Sequence, residues 1–213
     1  MIYIANDVES AGGKLGRHST ISIGAAVITR EKITFEDYWK KGLVFYAELI
    51  PDSYCYDIEA MRVGCSQLMC IEEIKLRDDR FDSKSLKFDP EKVLRFMAKR
   101  CEERFSAMQR FSDWIKSMKS GEEKVIGVTD TVFFDGGRID LCFGLYDDLR
   151  SPSPYGWSGL DLDSVYRGYM RKAGASLREL GVKDERTKPH RADQDAVFLA
   201  QQGHDLLFEK MGW

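Results

Sequence analysis

The feature that most constrains this chain lies at its start. An apolar segment, residues 1–6, runs directly into two acids, Asp7 and Glu9, and a β-rich stretch follows at residues 19–29. Both segments predict strands, and Ala11-Gly12-Gly13-Lys14 between them supplies a flexible turn. A third strand is expected over Gly42 to Ile50, ending at Pro51-Asp52. Strands joined by a Gly-containing link predict an antiparallel meander. Side chains alternate along a strand, so Asp7 and Glu9, at i and i+2, project from one face. Two like charges side by side repel, and a fold tolerates them most easily with a cation between. Oxygen ligands of this type suit Mg²⁺ or Mn²⁺.

Beyond the meander the pattern changes. Residues 52–88 carry weak signals, with a helix expected around Ile58 to Val63. Asp89 is a good N-cap, Pro90 fits a first turn, and Glu91 suits the positive end of the helix dipole. Val93, Met97, Cys101, Phe105, Met108, Trp114, Ile115 and Met118 follow at near-helical spacing. This predicts a helix over Pro90 to Lys119, about 45 Å long if unbroken, with a break near Arg104 to Arg110 as the alternative. Its Met and aromatic stripe reads as core. Val125 to Val128 predicts a short strand, Gly136 to Leu145 a helix with Phe143 and Leu145 inward, and Ser151 to Pro154 a loop. Helices are expected over Val165 to Leu180 and, after Pro189, over Ala192 to Lys210. Strands followed by alternating helix and strand predict an α/β protein, a mixed sheet flanked by helices.

Composition narrows the function classes. With 213 residues the chain suits one ordinary domain, enlarged at about 52–120. Its 32 Lys and Arg against 35 Asp and Glu give a net charge of −3, which argues against a basic surface wrapping duplex DNA. No run approaches the roughly 18 apolar residues of a membrane helix, and the start lacks the basic region of a signal peptide. The five cysteines are odd in number, with no Cys-x-x-Cys pair and no zinc-ligand spacing with the scattered histidines. A reducing, cytoplasmic setting is therefore the expectation.

Two further acidic stretches bear on the pair at the start. In His190-Arg-Ala-Asp-Gln-Asp195 a histidine precedes an aspartate by five residues at a helix start. Five helical residues rotate by about 140°, so the two side chains converge only if His190 lies in the Pro189 loop. Val132-Phe133-Phe134-Asp135-Gly136-Gly137 is an apolar strand exit ending in an acid that could also be a helix cap.

Together these stretches resemble the three motifs of the DEDDh exonucleases, DnaQ-like members of the RNase H-like superfamily. Asp7-Val-Glu9-Ser10 with Ile21 to Ile28 resembles the first motif, Phe134-Asp135 the second, and His190-x-Ala192-x-x-Asp195-Ala196 the third. Asp130 remains an alternative for the second-motif acid, because Asp130-Thr131-Val132 stands where the family often has His-Asn-Ala. The resemblance implies an RNase H-like fold and 3′-to-5′ removal of nucleotides as monophosphates from a nucleic-acid 3′ end, with a single strand the expected form. It implies that Asp7, Glu9, Asp135 and Asp195 bind two divalent ions, Mg²⁺ or Mn²⁺, and that His190 is the general base. Imidazole titrates near neutrality and suits that role. Ser10, Ala11, Gly12 and Phe134 would approach the terminal nucleotide, Arg191 a phosphate, and Tyr155 and Trp157 could stack on a base. A catalytically inactive nucleic-acid-binding module and a nucleotide phosphohydrolase are the competing readings. DNA against RNA stays open, as does oligomeric state, with a homodimer among the options.

Overall fold

A computed structural model describes residues 1–144, 153–156 and 159–213. Within the described residues five strands form one mixed sheet: β1 (Ile2–Ser10), β2 (Thr20–Ile28), β3 (Val44–Glu48), β4 (Val125–Thr129) and β5 (Gly159–Asp161), in spatial order β3-β2-β1-β4-β5. The meander β1-β2-β3 is antiparallel, whereas β4 pairs parallel to β1 and β5 parallel to β4. Seven α-helices among the described residues accompany them: α1 (Asp37–Lys40), α2 (Ile58–Gly64), α3 (Pro90–Arg100), α4 (Arg104–Ser117), α5 (Gly137–Gly144), α6 (Leu162–Met170) and α7 (Ala192–Gly203).

Strand alternation divides the core. Tyr3 and Ala5 of β1 pack with Ala26 and Ile28 of β2 against α7 through Ala196, Val197 and Ala200. Ile4 and Val8 face the other way, toward Met108, Phe111 and Ile115 of α4 and Ile139 of α5. A third cluster, with Met61, Cys65, Leu68, Phe81, Val93, Leu94 and Met97, is the private core of residues 58–97, anchored to the meander through Ala11 and Ile21. This cluster left little trace in the sequence pattern, because its short 3₁₀ turns carry no long hydrophobic period.

Several expectations are corrected. The helix from Pro90 is not continuous. It stops at Arg100 because Cys101 and Glu102 turn extended; Glu102 N–H donates to Glu48 O and Ile50 N–H to Glu102 O, both at 2.9 Å. The extended Glu103 then caps α4 by accepting from Ser106 N–H. The register of the long stripe is thereby reset, leaving Phe105 42 % exposed while Met108 and Ile115 are fully buried. The helix expected over Val165–Leu180 ends at Met170, where Arg171 adopts φ 52°, and resumes only as a 3₁₀ turn at Leu177–Leu180. The final helix is α-helical to Gly203 and widens to π geometry over His204–Lys210. Leu145 lies outside the described residues. No helix among those described is long and apolar enough to cross a membrane.

Candidate active site

The acids meet at the carboxyl ends of β1 and β4, the position where open α/β sheets present a crevice. The parallel ladder between these strands ends at Ala5↔Val128. Beyond it, Asp7 and Glu9 continue the face on which Tyr3 and Ala5 are buried against α7. They still pair with β2, Asp7 opposite Gly24 and Glu9 opposite Ser22, so the strand holds both carboxylates on the α7 side.

Asp135 arrives from β4 through a wide π-type turn, Val132–Gly136, with Thr131 N-terminal to it. Its Oδ1 accepts the Val8 N–H at 3.2 Å and its Oδ2 accepts the Thr131 hydroxyl at 2.9 Å. The Thr131 hydroxyl also lies 2.8 Å from Asp130 Oδ1. Asp135 is buried and Asp130 exposed, although both line the cleft.

The third acid comes from the start of α7. Asp195 Oδ2 accepts the backbone N–H of His190 at 3.0 Å, which is how the histidine loop is tied to the helix despite the divergence that a continuous helix would impose. His190 sits at φ 65°, a left-handed conformation uncommon outside glycine, and its side chain is exposed. Ligand atoms of Glu9, His190 and Asp195 all lie within 4.8 Å of one another. Gln194 braces the same loop by accepting the Lys188 N–H at 2.8 Å.

The cleft has a volume of about 920 Å³. Besides the acids and His190 it is lined by Ser10, Gly12, Gly13 and Phe134, by Glu59, Ala60 and Val63 of α2, and by Arg178 and Arg186. The Ser10 hydroxyl donates to Gly12 O at 2.9 Å, and the fully buried Arg138 holds the same carbonyl while its guanidinium lies 4.7 Å from the Phe134 ring. Three expected contacts are not made. Ala11 is fully buried in the third core, with its N–H donated to Ser19 O and its carbonyl accepting from Asp57 N–H. Arg191 is turned onto Asp193, bonding it at 2.6 and 2.7 Å, and is not among the cleft residues. Tyr155 donates its hydroxyl to Asn6 Oδ1 at 2.7 Å and packs edge-on to Phe111, so it serves the core. Trp157 lies outside the described residues.

Electrostatics single out the same groups. Burial, then repulsion from Glu9, Asp135, Asp195 and Asp130, pushes the Asp7 carboxyl well above the ordinary aspartate range. Burial, then Asp195 and Asp135, raises Glu9. Asp135 is pushed up to about 7, chiefly by burial and by Asp130, against the opposing hydrogen bonds from Thr131 and Val8. Asp195 is raised by burial, partly offset by Arg186 and His190. Asp7 Oδ2 is sealed from solvent with no hydrogen-bond partner. A buried, orphaned carboxylate oxygen among three other acids is a donor set that fits hard divalent cations, which would satisfy that atom and remove the repulsion.

Arg186 carried no signal in the sequence, since it sits in a charged run that reads as a solvated loop. Its Nη1 donates to Asp195 Oδ1 at 2.9 Å, its guanidinium lies 4.4 Å from the Phe198 ring, and Asp184 holds its other nitrogens. Gly24 was equally silent. A Cβ there would stand 2.0 Å from the backbone carbonyl of Ala192, so the absent side chain is what lets α7 start against the sheet.

No protein-family model matches the chain. The chain is 28 % identical over 204 residues to the Escherichia coli 3′-5′ DNA exonuclease Cap18, covering 94 % of this chain and 88 % of that protein. In fold it is similar to the nuclease domain of 3′hExo, a DEDDh family member solved bound to rAMP, with TM-score 0.66, 13 % identity, and 99 % and 94 % of the two chains covered. It is also similar to E. coli exonuclease I in complex with a dT13 oligonucleotide, with TM-score 0.59 and 14 % identity, where 98 % of this chain spans 41 % of the larger protein. The mixed sheet flanked by helices is the RNase H-like fold of these neighbours, and in its relative, its fold and its three motifs the chain is similar to the DEDDh 3′–5′ exonucleases.

Proposed function

We propose that the protein is a metal-dependent exonuclease that removes nucleoside monophosphates from the 3′ end of single-stranded nucleic acid. The observation that carries this reading is the meeting of Asp7, Glu9, Asp135, Asp195 and His190, from three remote segments, around one unsatisfied buried oxygen. Binding alone has no need of repelling carboxylates held in contact, and their burial costs stability unless something charged is bound there.

In this reading Asp7, Glu9, Asp135 and Asp195 hold two divalent ions, Mg²⁺ or Mn²⁺. When bound, such ions neutralise the acids, polarise the phosphate and lower the pKa of the attacking water. The chain's own residues do the rest. Val8 N–H and the Thr131 hydroxyl fix Asp135 in one orientation. His190, exposed on its loop beside Glu9 and Asp195, takes the proton of the attacking water. Ser10, Gly12 and Phe134 form the wall against which the terminal nucleotide rests, and α2 lines the cleft beside Ser10.

The test is an end-labelled single-stranded oligonucleotide with Mg²⁺ or Mn²⁺, in DNA and RNA versions. A ladder shortening from the 3′ end is expected. Binding without cleavage would support the inactive module, and turnover of free nucleotides alone would support a phosphohydrolase.

A further inference from the structure

A second donor cluster lies away from the cleft. Glu48 of β3, Cys70 in the 3₁₀ turn Met69–Ile71 and Cys101 at the end of α3 bring a carboxylate oxygen and two sulfurs within 4.8 Å of one another. The two cysteines are 31 positions apart, and both are free thiols of intermediate burial. We propose that Glu48, Cys70 and Cys101 form a binding site for a thiophilic divalent ion of the Zn²⁺ class, with one coordination position left to solvent.

The geometry is close to what such an ion needs. Two sulfurs each about 2.3 Å from a tetrahedral ion stand about 3.8 Å apart, so a triad already within 4.8 Å closes by side-chain rotation of less than an ångström or so. Two sulfurs select a soft or borderline ion over Mg²⁺ or Mn²⁺, which separates this cluster chemically from the all-oxygen cleft. The carboxylate is oriented as ligating carboxylates are. Glu48 accepts the Tyr46 hydroxyl at 2.6 Å and the backbone N–H groups of Met69 and Cys70 at 2.5 and 2.9 Å, so it is fixed facing the two sulfurs, and its Oε2 retains a lone pair. The pairing of the thiols and their partial burial raise the Cys70 thiol far above its ordinary range. Metal binding converts each thiol to a thiolate and releases its proton to solvent.

The placement suggests what the ion would do. Glu48 belongs to the sheet, whereas Cys70 and Cys101 pack against the private core of residues 58–97. An ion here joins that core to β3. The same core carries α2, whose Gly64 approaches so near the cleft that a Cβ on it would stand 3.0 Å from Glu9 Oε2. The site would act as a staple behind one wall of the cleft.

Co²⁺ titration of the reduced, metal-free protein tests this. Thiolate-bound Co²⁺ gives a near-ultraviolet charge-transfer absorption that a carboxylate–imidazole site cannot give, so the cleft does not interfere. One equivalent of this band per chain is expected, bleached by Zn²⁺, retained in Asp7→Ala and Cys55→Ser, and lost in both Cys70→Ser and Cys101→Ser. In the Asp7→Ala background Zn²⁺ should raise Tm, and adding Cys101→Ser should remove the rise. Absence of the band in the wild type, or its survival in both serine variants with native circular dichroism, overturns the proposal. So does a wild-type protein whose Cys70 and Cys101 form a disulfide that Zn²⁺ does not prevent. Because none of these readouts uses nuclease activity, failure here leaves the exonuclease reading standing, and the reverse holds.

Discussion

Gly24 lies directly across the antiparallel ladder from Asp7, and the side chain it lacks is the space that the start of α7 occupies. The residue opposite the first acid therefore sets the distance of the last one, because Asp195 rides on the helix whose backbone enters that gap.

Gly24→Ala should consequently disable the site without touching any acid. A Cβ 2.0 Å from the Ala192 carbonyl must push backbone, not a flexible side-chain tip, so α7 moves outward. Overpacking of this kind costs about 1–3 kcal/mol. Activity should fall by at least ten-fold, with a lower Tm. Gly168→Ala, in α6 with nothing near its Cβ, is the control and should hold or slightly raise Tm. Equal behaviour of the two variants in a melting and cleavage assay would remove this account of Gly24.

Asp7→Ala, Glu9→Ala and Asp195→Ala should each abolish nucleotide removal while the fold survives. In the second motif, Asp135→Asn should be inactive and Asp130→Asn substantially active, since Asp135 is buried and braced by Val8 and Thr131 whereas Asp130 is exposed. An inactive Asp130→Asn beside an active Asp135→Asn, in the same oligonucleotide assay, would reverse the assignment.

His190→Ala should lower kcat by roughly 10²–10⁴-fold and leave metal affinity, read by calorimetry, nearly unchanged. The wild-type pH–rate profile should carry a rising limb from base catalysis, and that limb should vanish in the variant. Ionisation of water near the ions can mimic the limb in the wild type, so the comparison carries the test. A variant that keeps both rate and limb would reduce His190 to a loop residue.

Without metal, the cleft should cost stability as pH rises. Asp135 titrates at 3.8 as an ordinary aspartate and at about 7 here, so the fold favours its protonated form. That contribution is complete below 3.8 and is lost as pH climbs through about 7. In EDTA, the Tm advantage of Asp135→Asn over wild type should therefore grow between about pH 5 and about pH 8, and Mg²⁺ should raise the wild-type Tm most at the upper end. A difference that stays flat across this range would contradict the mutual repulsion described above.

Arg186 holds Asp195 Oδ1, so in the proposed site it would compete with a cation for that carboxylate. Arg186→Met, which keeps the packing on Phe198 and removes the charge, should bind Mg²⁺ more tightly by several-fold. Weaker Mg²⁺ binding in calorimetry would show instead that Arg186 holds Asp195 ready for the ion.

Legibility in the sequence followed the range of the forces involved. The meander was readable because strand alternation and turn glycines are local, and the same alternation put Asp7 and Glu9 on one face. The Asp89 cap and Pro90 marked α3 for the same reason, with Asp89 accepting the Lys92 N–H at 3.0 Å. The end of α3 is not legible locally because Glu102 leaves the helix to bond the end of β3, a partner about fifty positions away that no local propensity reports.

The candidate site divides the same way. In the sequence, the resemblance of three short motifs to a known family pointed to Asp7, Glu9, Asp195 and His190 as one set and left Asp130 as the alternative to Asp135. Only the tertiary structure decided that Asp135 is the buried acid of its pair, that Arg191 is spent on Asp193 while Arg186 reaches Asp195, and that Cys70 and Cys101 meet at Glu48. Each of these depends on which side chains share a small volume once the sheet has closed. Burial and partner distance are properties of that volume, and the order of residues along the chain does not contain them.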